Sequence, residues 1–272
     1  MLIYLTSSFL PFQEREEYRR LPGLNQFGFM DELKSVWPKA AKLLVIAADP
    51  DDAEATDFHV RELKDVLELG GFDLKELYIA DHRNEKPMGE RIAWADVIYL
   101  AGGHAPSQLR FLREIGFANA LASFDGILIG LSAGSVNMAD EVYLMPEFAE
   151  EAVDPGFVRF QKGLGLTALN IVPHRDYMKS LVIHGLRMVE DILLPDSYGH
   201  RFYMISDGSY FRIIDGMTEF FGEGEILSDG QMDPLLPGVL LPVSSAIGAG
   251  AWQAVARDGF ECVFRIDTKT KK

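Results

Sequence analysis

The residues with the clearest chemical potential lie in GILIGLSAGSVNM, residues 126–138, where Ser132 stands between Gly130 and Gly134 after an apolar run. Gly-x-Ser-x-Gly suits a sharp strand-to-helix turn. The apex residue is held in a strained conformation, and small neighbours let the backbone pack closely on both sides. Such a turn lifts a hydroxyl out of a sheet and aims the N–H groups that follow, beginning with Ala133, at an oxyanion forming beside it. Two readings fit the motif: a nucleophile, or a serine that caps the next helix.

A serine nucleophile needs a base to take its proton. Of the six histidines, His174 ends the apolar run ALNIVPH, which puts its imidazole in a loop at a strand's end. In a single parallel sheet that is the rim where Ser132 also lies. His184 falls inside YMKSLVIHGLRMVEDIL, which reads as a helix, while His59, His82 and His200 suit packing or surface roles. A second oxyanion donor is offered by YLAGGHAPSQL, where Gly102 and Gly103 follow a strand. An ordinary glycine turn is the plainer reading. Neither Gly-x-Gly-x-x-Gly nor Gly-Lys-Ser/Thr is present, which argues against a nucleotide loop. In ADPDDAEATDFH, Asp49, Asp51, Asp52, Asp57 and His59 are hard or borderline ligands, but the spacing is not that of a calcium loop, and aspartates favour turns and helix starts for local reasons. No metal is expected.

These groups require a scaffold of alternating strands and helices. KLLVIAA (42–48), LKELYIA (74–80), DVIYLAGG (96–103) and GILIGL (126–131) read as strands, three of them continuously apolar as in a sheet covered on both faces. DFHVRELKDVLELGG (57–71) and PSQLRFLREIGFANALAS (106–123) carry apolar residues at helical spacing. MLIYLTSSFLPFQ reads as the first strand of the sheet. This rhythm predicts a mostly parallel sheet with helices on both faces. After about residue 195 it becomes β-rich. Asp207-Gly208, within HRFYMISDGSYFRIIDG, predicts a hairpin, and Asp-Gly pairs at 215–216 and 229–230 predict a β-meander at the sheet edge.

Composition narrows the partners. Of 272 residues, 48% are hydrophobic and 25% charged, as expected of a packed globular protein. Twenty-six basic against 41 acidic residues leave a formal charge of −15, which repels a phosphate backbone, so no nucleic acid is expected. The single cysteine, Cys262, permits no intramolecular disulfide and suits a reducing compartment. The N-terminal apolar run is too short for a membrane span. The expectation is a cytoplasmic protein with no membrane association, forming one α/β domain over 1–272. Its core covers about 42–215, with a β-rich extension over about 216–272. The run PLLPGVLLPVSSAIGAGAW either covers the core or joins two subunits of a homodimer.

The strand into AGGH, the elbow GLSAGS, the strand into VPH and then ISDGSYFRI occur in this order over about 42–215. In that combination the chain resembles the dipeptidase E (α-aspartyl dipeptidase) and cyanophycinase family of serine peptidases, whose flavodoxin-like core is similar to class I glutamine amidotransferases. The resemblance implies a doubly wound, mostly parallel sheet. It makes Ser132 the nucleophile and His174 the general base, with the N–H groups of Gly103 and Ala133 forming the oxyanion hole. No cofactor is implied. The implied substrate is a short peptide, including dipeptides with N-terminal aspartate. An acidic substrate would need a cationic contact, for which Arg175, Arg159 and Arg187 are candidates.

Two positions depart from the family pattern. His104 stands where the family carries asparagine after the glycines; it either contacts substrate or fills space. The triad acid is expected between serine and histidine, in ADEVYLMPEFAEEAVDPGF. Spacing from the serine favours Glu147, counting back from VDP favours Glu150, and Asp154 and Glu141 are further candidates. The same dyad also suits an esterase or amidase acting on a small molecule. A catalytically silent peptide-binding protein is the alternative outside the enzymes.

Overall fold

The structure, a computed structural model, describes residues 1–9, 25–83 and 87–238, with the backbone of three short strands at 240–242, 255–257 and 260–262. Strands β1 (Leu2–Thr6), β2 (Ala41–Ile46), β3 (Leu74–Ala80), β4 (Val97–Leu100) and β5 (Ile127–Leu131) run parallel in the order β1-β5-β4-β2-β3. Strands β4 and β5 are buried along their whole length, and β2 nearly so. Each leucine or isoleucine taken out of water there contributes about 1.5–3 kcal/mol. Apolar clusters cover both faces of the sheet, one around Leu5, Leu100 and Phe111, the other around Tyr4, Val45 and Tyr99. Doubly wound α/β is the architecture. Among the described residues no helix is long and apolar enough to cross a membrane.

Helices α1 (Phe29–Val36), α2 (Ala53–Leu69), α3 (Met88–Trp94) and α4 (Ala105–Glu114) flank this sheet. Helix α2 begins earlier than its apolar spacing suggests, because the Asp52 carboxylate accepts the Ala55 N–H at 2.9 Å and caps it. The rest of that acidic cluster is used locally as well: Asp51 pairs with His82, and Asp57 with Arg83. The single helix expected over 106–123 is broken, since Gly116 adopts φ 62° and starts a separate short turn.

The chain after β5 departs further from expectation. Helix α5 (Ala133–Val136) is a single turn, followed by β6 (Glu141–Tyr143), helix α6 (Ala149–Val153) and β7 (Phe160–Lys162), the two strands pairing antiparallel. Strand β8 (Asn170–Val172) leads into helix α7 (Arg175–Ser180). The long helix expected around His184 is absent. Instead β9 (Val182–Ile183) and β10 (Leu186–Arg187) form a small hairpin, with His184 and Gly185 both at positive φ, as its two-residue turn requires.

Strand β8 does not join the sheet of β5. It pairs in parallel with β11 (Arg201–Ile205) in a second sheet, which continues to β14 (Gly224–Ser228) and β15 (Gln231–Leu235). Strands β12 (Tyr210–Ile214), β13 (Met217–Phe221) and β16 (Leu240–Pro242) extend the main sheet antiparallel beyond β1. The Asp-Gly pairs at 215–216 and 229–230 are therefore the hairpin turns expected. The pair at 207–208 is not one. Of the two, only Gly208 has positive φ, and Ser209 N–H bonds the Ser206 carbonyl, so the turn resembles type II and carries the chain from the second sheet into the first. Ile171, Tyr203 and Ile205 of the second sheet pack into the same core as Leu5 and Phe211 of the first. Strands Val255–Arg257 and Phe260–Cys262 pair with each other. The run PLLPGVLLPVSSAIGAGAW (234–252), expected either to cover the core or to join two subunits, lies largely outside the described residues.

Candidate active site

At the end of β5 the chain reverses through Ser132, whose φ of 49° and ψ of −110° lie outside the regions L-residues favour. The surroundings hold it there. Its N–H donates to the carbonyls of Thr6 and Ser7 at the end of β1, at 3.0 and 3.1 Å, and the Thr6 hydroxyl donates to the Gly130 carbonyl at 2.7 Å. A side chain at Gly134 would collide with the backbone of Leu100, which accounts for the second glycine of the motif. The Ser132 hydroxyl makes no capping bond to the following turn. It faces His174, with Oγ 2.9 Å from Nε2. The capping reading of the motif therefore fails.

His174 reaches this point from the second sheet, not from the rim of the first as a single parallel sheet would have it. Pro173 ends β8, and His174 itself takes a left-handed conformation, φ 58°, before α7. Its backbone N–H donates to the Ser7 hydroxyl at 2.8 Å. Its other ring nitrogen, Nδ1, lies 2.8 Å from Asp207 Oδ1. Asp207 sits on the turn that joins the two sheets.

The acid at the imidazole is thus Asp207, not Glu147 or Glu150. The sequence signal was present in ISDGSYFRI, but an Asp-Gly pair reads first as a turn. Glu147 lines the cavity in front of Ser132, and its Oε1 lies 3.5 Å from the Ala105 N–H. Burial pushes its carboxyl above the ordinary value, while His104 and the Ala105 N–H pull the other way. Glu150 and Asp154 belong to the exposed α6 segment, and Glu141 lies by His200.

Gly103 has φ 147°, accessible to glycine, and a Cβ there would lie 2.8 Å from that of Ala48. The turn it forms is tied to the elbow by buried amides. Gln108 donates to the Ala101 carbonyl at 2.9 Å, and Asn137 donates to Gln108 at 3.1 Å and to the Ala105 carbonyl at 3.0 Å. Among the described residues the N–H groups of Gly103 and Ala133 take no backbone partner. His104 does not line the cavity of Ser132. Its Nδ1 is 2.8 Å from the Ser107 hydroxyl and its Nε2 3.5 Å from Glu151, and it faces the adjoining cavity behind the glycine turn.

The cavity at Ser132 has a volume of about 340 Å³. Met145, Met178, Leu181 and Met188 supply apolar lining; the titratable lining is His59, Glu147, His174 and Tyr177. The three candidate cations are engaged elsewhere. Arg175 grips Glu225 with Nη2 at 2.6 Å and also meets Asp176, Arg159 meets Asp196 at 3.1 Å, and Arg187 meets Asp191 at 2.9 Å.

A doubly wound sheet with a serine elbow facing a histidine suits acyl transfer in general, and comparison with known proteins narrows the class to the peptidases. A model of peptidase family S51 matches residues 40–219, well over half of the chain, and the protein belongs to that family. The fold is shared with a solved peptidase from an acI-B1 Actinobacterium, at 16% identity and a TM-score of 0.55 over 89% of this chain and 96% of that one. It is also shared with a peptidase E candidate from Listeria monocytogenes EGD-e, at 18% identity and a TM-score of 0.52 over 80% and 96%. Comparison with curated protein sequences finds no match.

Proposed function

We propose that the chain is a serine peptidase that hydrolyses short peptides through an acyl-enzyme on Ser132. One observation carries this reading: an unbroken relay in which Ser132 Oγ is 2.9 Å from His174 Nε2, and His174 Nδ1 is 2.8 Å from Asp207. Nε2 takes the serine proton as Oγ attacks the scissile carbonyl. Asp207 accepts the Nδ1–H bond, which fixes the tautomer and stabilises the imidazolium that forms. The oxyanion is received by the N–H groups of Gly103 and Ala133, which have no backbone bond to give up among the described residues. The imidazolium then protonates the leaving amine, and water repeats the sequence at the acyl ester to release the acid and restore Ser132.

The lining bears on which peptide. The carboxylate of Glu147 complements a substrate's free ammonium group, and the methionine and leucine lining complements an apolar side chain. An N-terminal aspartate finds no unengaged lysine or arginine among the described lining residues. The preferred substrate in this reading is therefore a short peptide with a free amino terminus and an apolar first residue.

The test is a fluorophosphonate label read by intact mass, followed by kcat/KM on Leu-Xaa and Asp-Xaa dipeptides. The reading expects one adduct on the wild type, none on Ser132→Ala or His174→Ala, and faster cleavage of Leu-Xaa. An unlabelled wild type that cleaves nothing would overturn the mechanism. Faster cleavage of Asp-Xaa would overturn the specificity alone.

A further inference from the structure

Ser7 belongs to no motif, yet it touches every member of the relay. It lies just past β1 and is wholly buried. Its carbonyl accepts the N–H of Ser132 at 3.1 Å, its hydroxyl accepts the N–H of His174 at 2.8 Å, and the same hydroxyl donates to Asp207 Oδ1 at 2.7 Å. We infer that Ser7 is a positioning residue, the group that fixes acid and base to each other and both to the nucleophile. This inference rests on the peptidase reading above.

The polarity of the arrangement is forced. A backbone N–H can only donate, so the Ser7 oxygen must accept from His174, and its one proton is left for Asp207. The carboxylate needs that second donor. Its side chain is 46% exposed, and Oδ1 receives both the Ser7 hydroxyl and the imidazole. With the imidazole bond alone the carboxylate could still rotate about its own side-chain bonds, since the backbone ties of its turn, Gly208 N–H to the Ser8 carbonyl at 2.7 Å and Ser7 N–H to the Ser209 carbonyl at 3.3 Å, do not fix where Oδ1 points. The Ser7 bond refers Asp207 to β1, the strand paired directly with β5, which carries the nucleophile.

The other bond acts on the backbone. His174 occupies a left-handed conformation, φ 58°, which is uncommon for residues other than glycine although histidine tolerates it better than most. The tether from its N–H to Ser7 keeps Nε2 within reach of Ser132.

The test compares Ser7→Ala, which removes both side-chain bonds, with Ser7→Cys, which keeps the volume but bonds weakly. Folding is checked by thermal melting. The inference expects kcat for peptide cleavage to fall on the order of 100-fold in Ser7→Ala, as for a misplaced catalytic group, with KM nearly unchanged and Ser7→Cys intermediate. It also expects the downfield proton resonance of His174 Nδ1–H to weaken and exchange faster with solvent. A folded Ser7→Ala with wild-type kcat and an unmoved resonance overturns the inference. Should Ser7→Ala not fold, a Ser7→Cys protein indistinguishable from wild type in both readouts overturns it equally. The proton resonance requires no turnover, so it still decides the role of Ser7 if the wild type proves inert, which would count against the peptidase reading alone.

Discussion

Asp207 accepts the Nδ1 side of His174 at 2.8 Å from a turn that belongs to neither sheet but connects them. The imidazole is therefore oriented from a segment 33 residues downstream of the base, not from the stretch between serine and histidine.

The first prediction concerns that acid. Asp207→Asn should lower kcat/KM by about 10³- to 10⁴-fold, as expected when the wrong tautomer faces the serine. Glu147→Gln should cost far less in kcat and act mainly on KM, since Glu147 lines the cavity without holding the imidazole. Steady-state kinetics on both variants decide the assignment, and the reverse order of effects would return the role to Glu147.

Gly103→Ala should be both slow and unstable. The φ of 147° is strained for alanine, and the new methyl would press on Ala48 at 2.8 Å. Holding that backbone costs about 1–3 kcal/mol, and any relaxation turns the N–H away from the oxyanion. Melting temperature and kcat should fall together. A variant with wild-type kcat would remove Gly103 from the oxyanion hole.

Arg175→Met should lower stability without changing substrate preference. Arg175 and Lys179 share Glu225, whose carboxylate is 12% exposed. Burial opposes ionisation of Glu225, but hydrogen bonds from the two cations outweigh it and hold its carboxyl below the ordinary value. Losing Arg175 should cost less than the ~3–5 kcal/mol of a broken fully buried pair, because Lys179 stays 2.7 Å away. The ratio of Asp-Xaa to Leu-Xaa cleavage should not move. A selective loss on Asp-Xaa would make Arg175 a substrate contact after all.

His59 should make the fold sensitive to mild acid. Burial lowers its pKa from 6.5 to about 4, and its Nε2 lies 2.9 Å from the hydroxyl of the buried Tyr99. Between those pH values the unfolded chain binds a proton that the folded chain does not. The contribution is therefore whole above about pH 6.5 and lost as pH falls toward 4. The full shift corresponds to about 3 kcal/mol, an upper bound for a ring that is partly exposed. Melting curves at several pH values should be flatter over that window in His59→Gln than in wild type.

Much of this was legible in the sequence, for identifiable reasons. The apolar runs of β2, β4 and β5 announce a sheet covered on both faces, and Gly130-x-Ser132-x-Gly134 announces the elbow, because each obeys a local rule. What could not be read depends on long-range pairing. Whether β8 and β11 join the main sheet is not encoded in their own residues. The role of Asp207 follows from that choice, since a hairpin at 207–208 would have kept both strands together. The helix expected around His184 failed more simply. His184-Gly185 can take the two left-handed conformations of a tight turn, and apolar periodicity does not register that.

The division of the relay between two sheets has a consequence for how this protein would lose function. Ser132 is carried by β5, whereas His174 and Asp207 are carried by or adjoin strands of the other sheet, and the two bodies share one apolar core. Catalytic alignment is then a vernier on the seam between them. A slip too small to expose the core or disturb either hydrogen-bonded ladder would already separate serine from histidine, so reactivity at Ser132 reports docking of the sheets more finely than any measure of secondary structure.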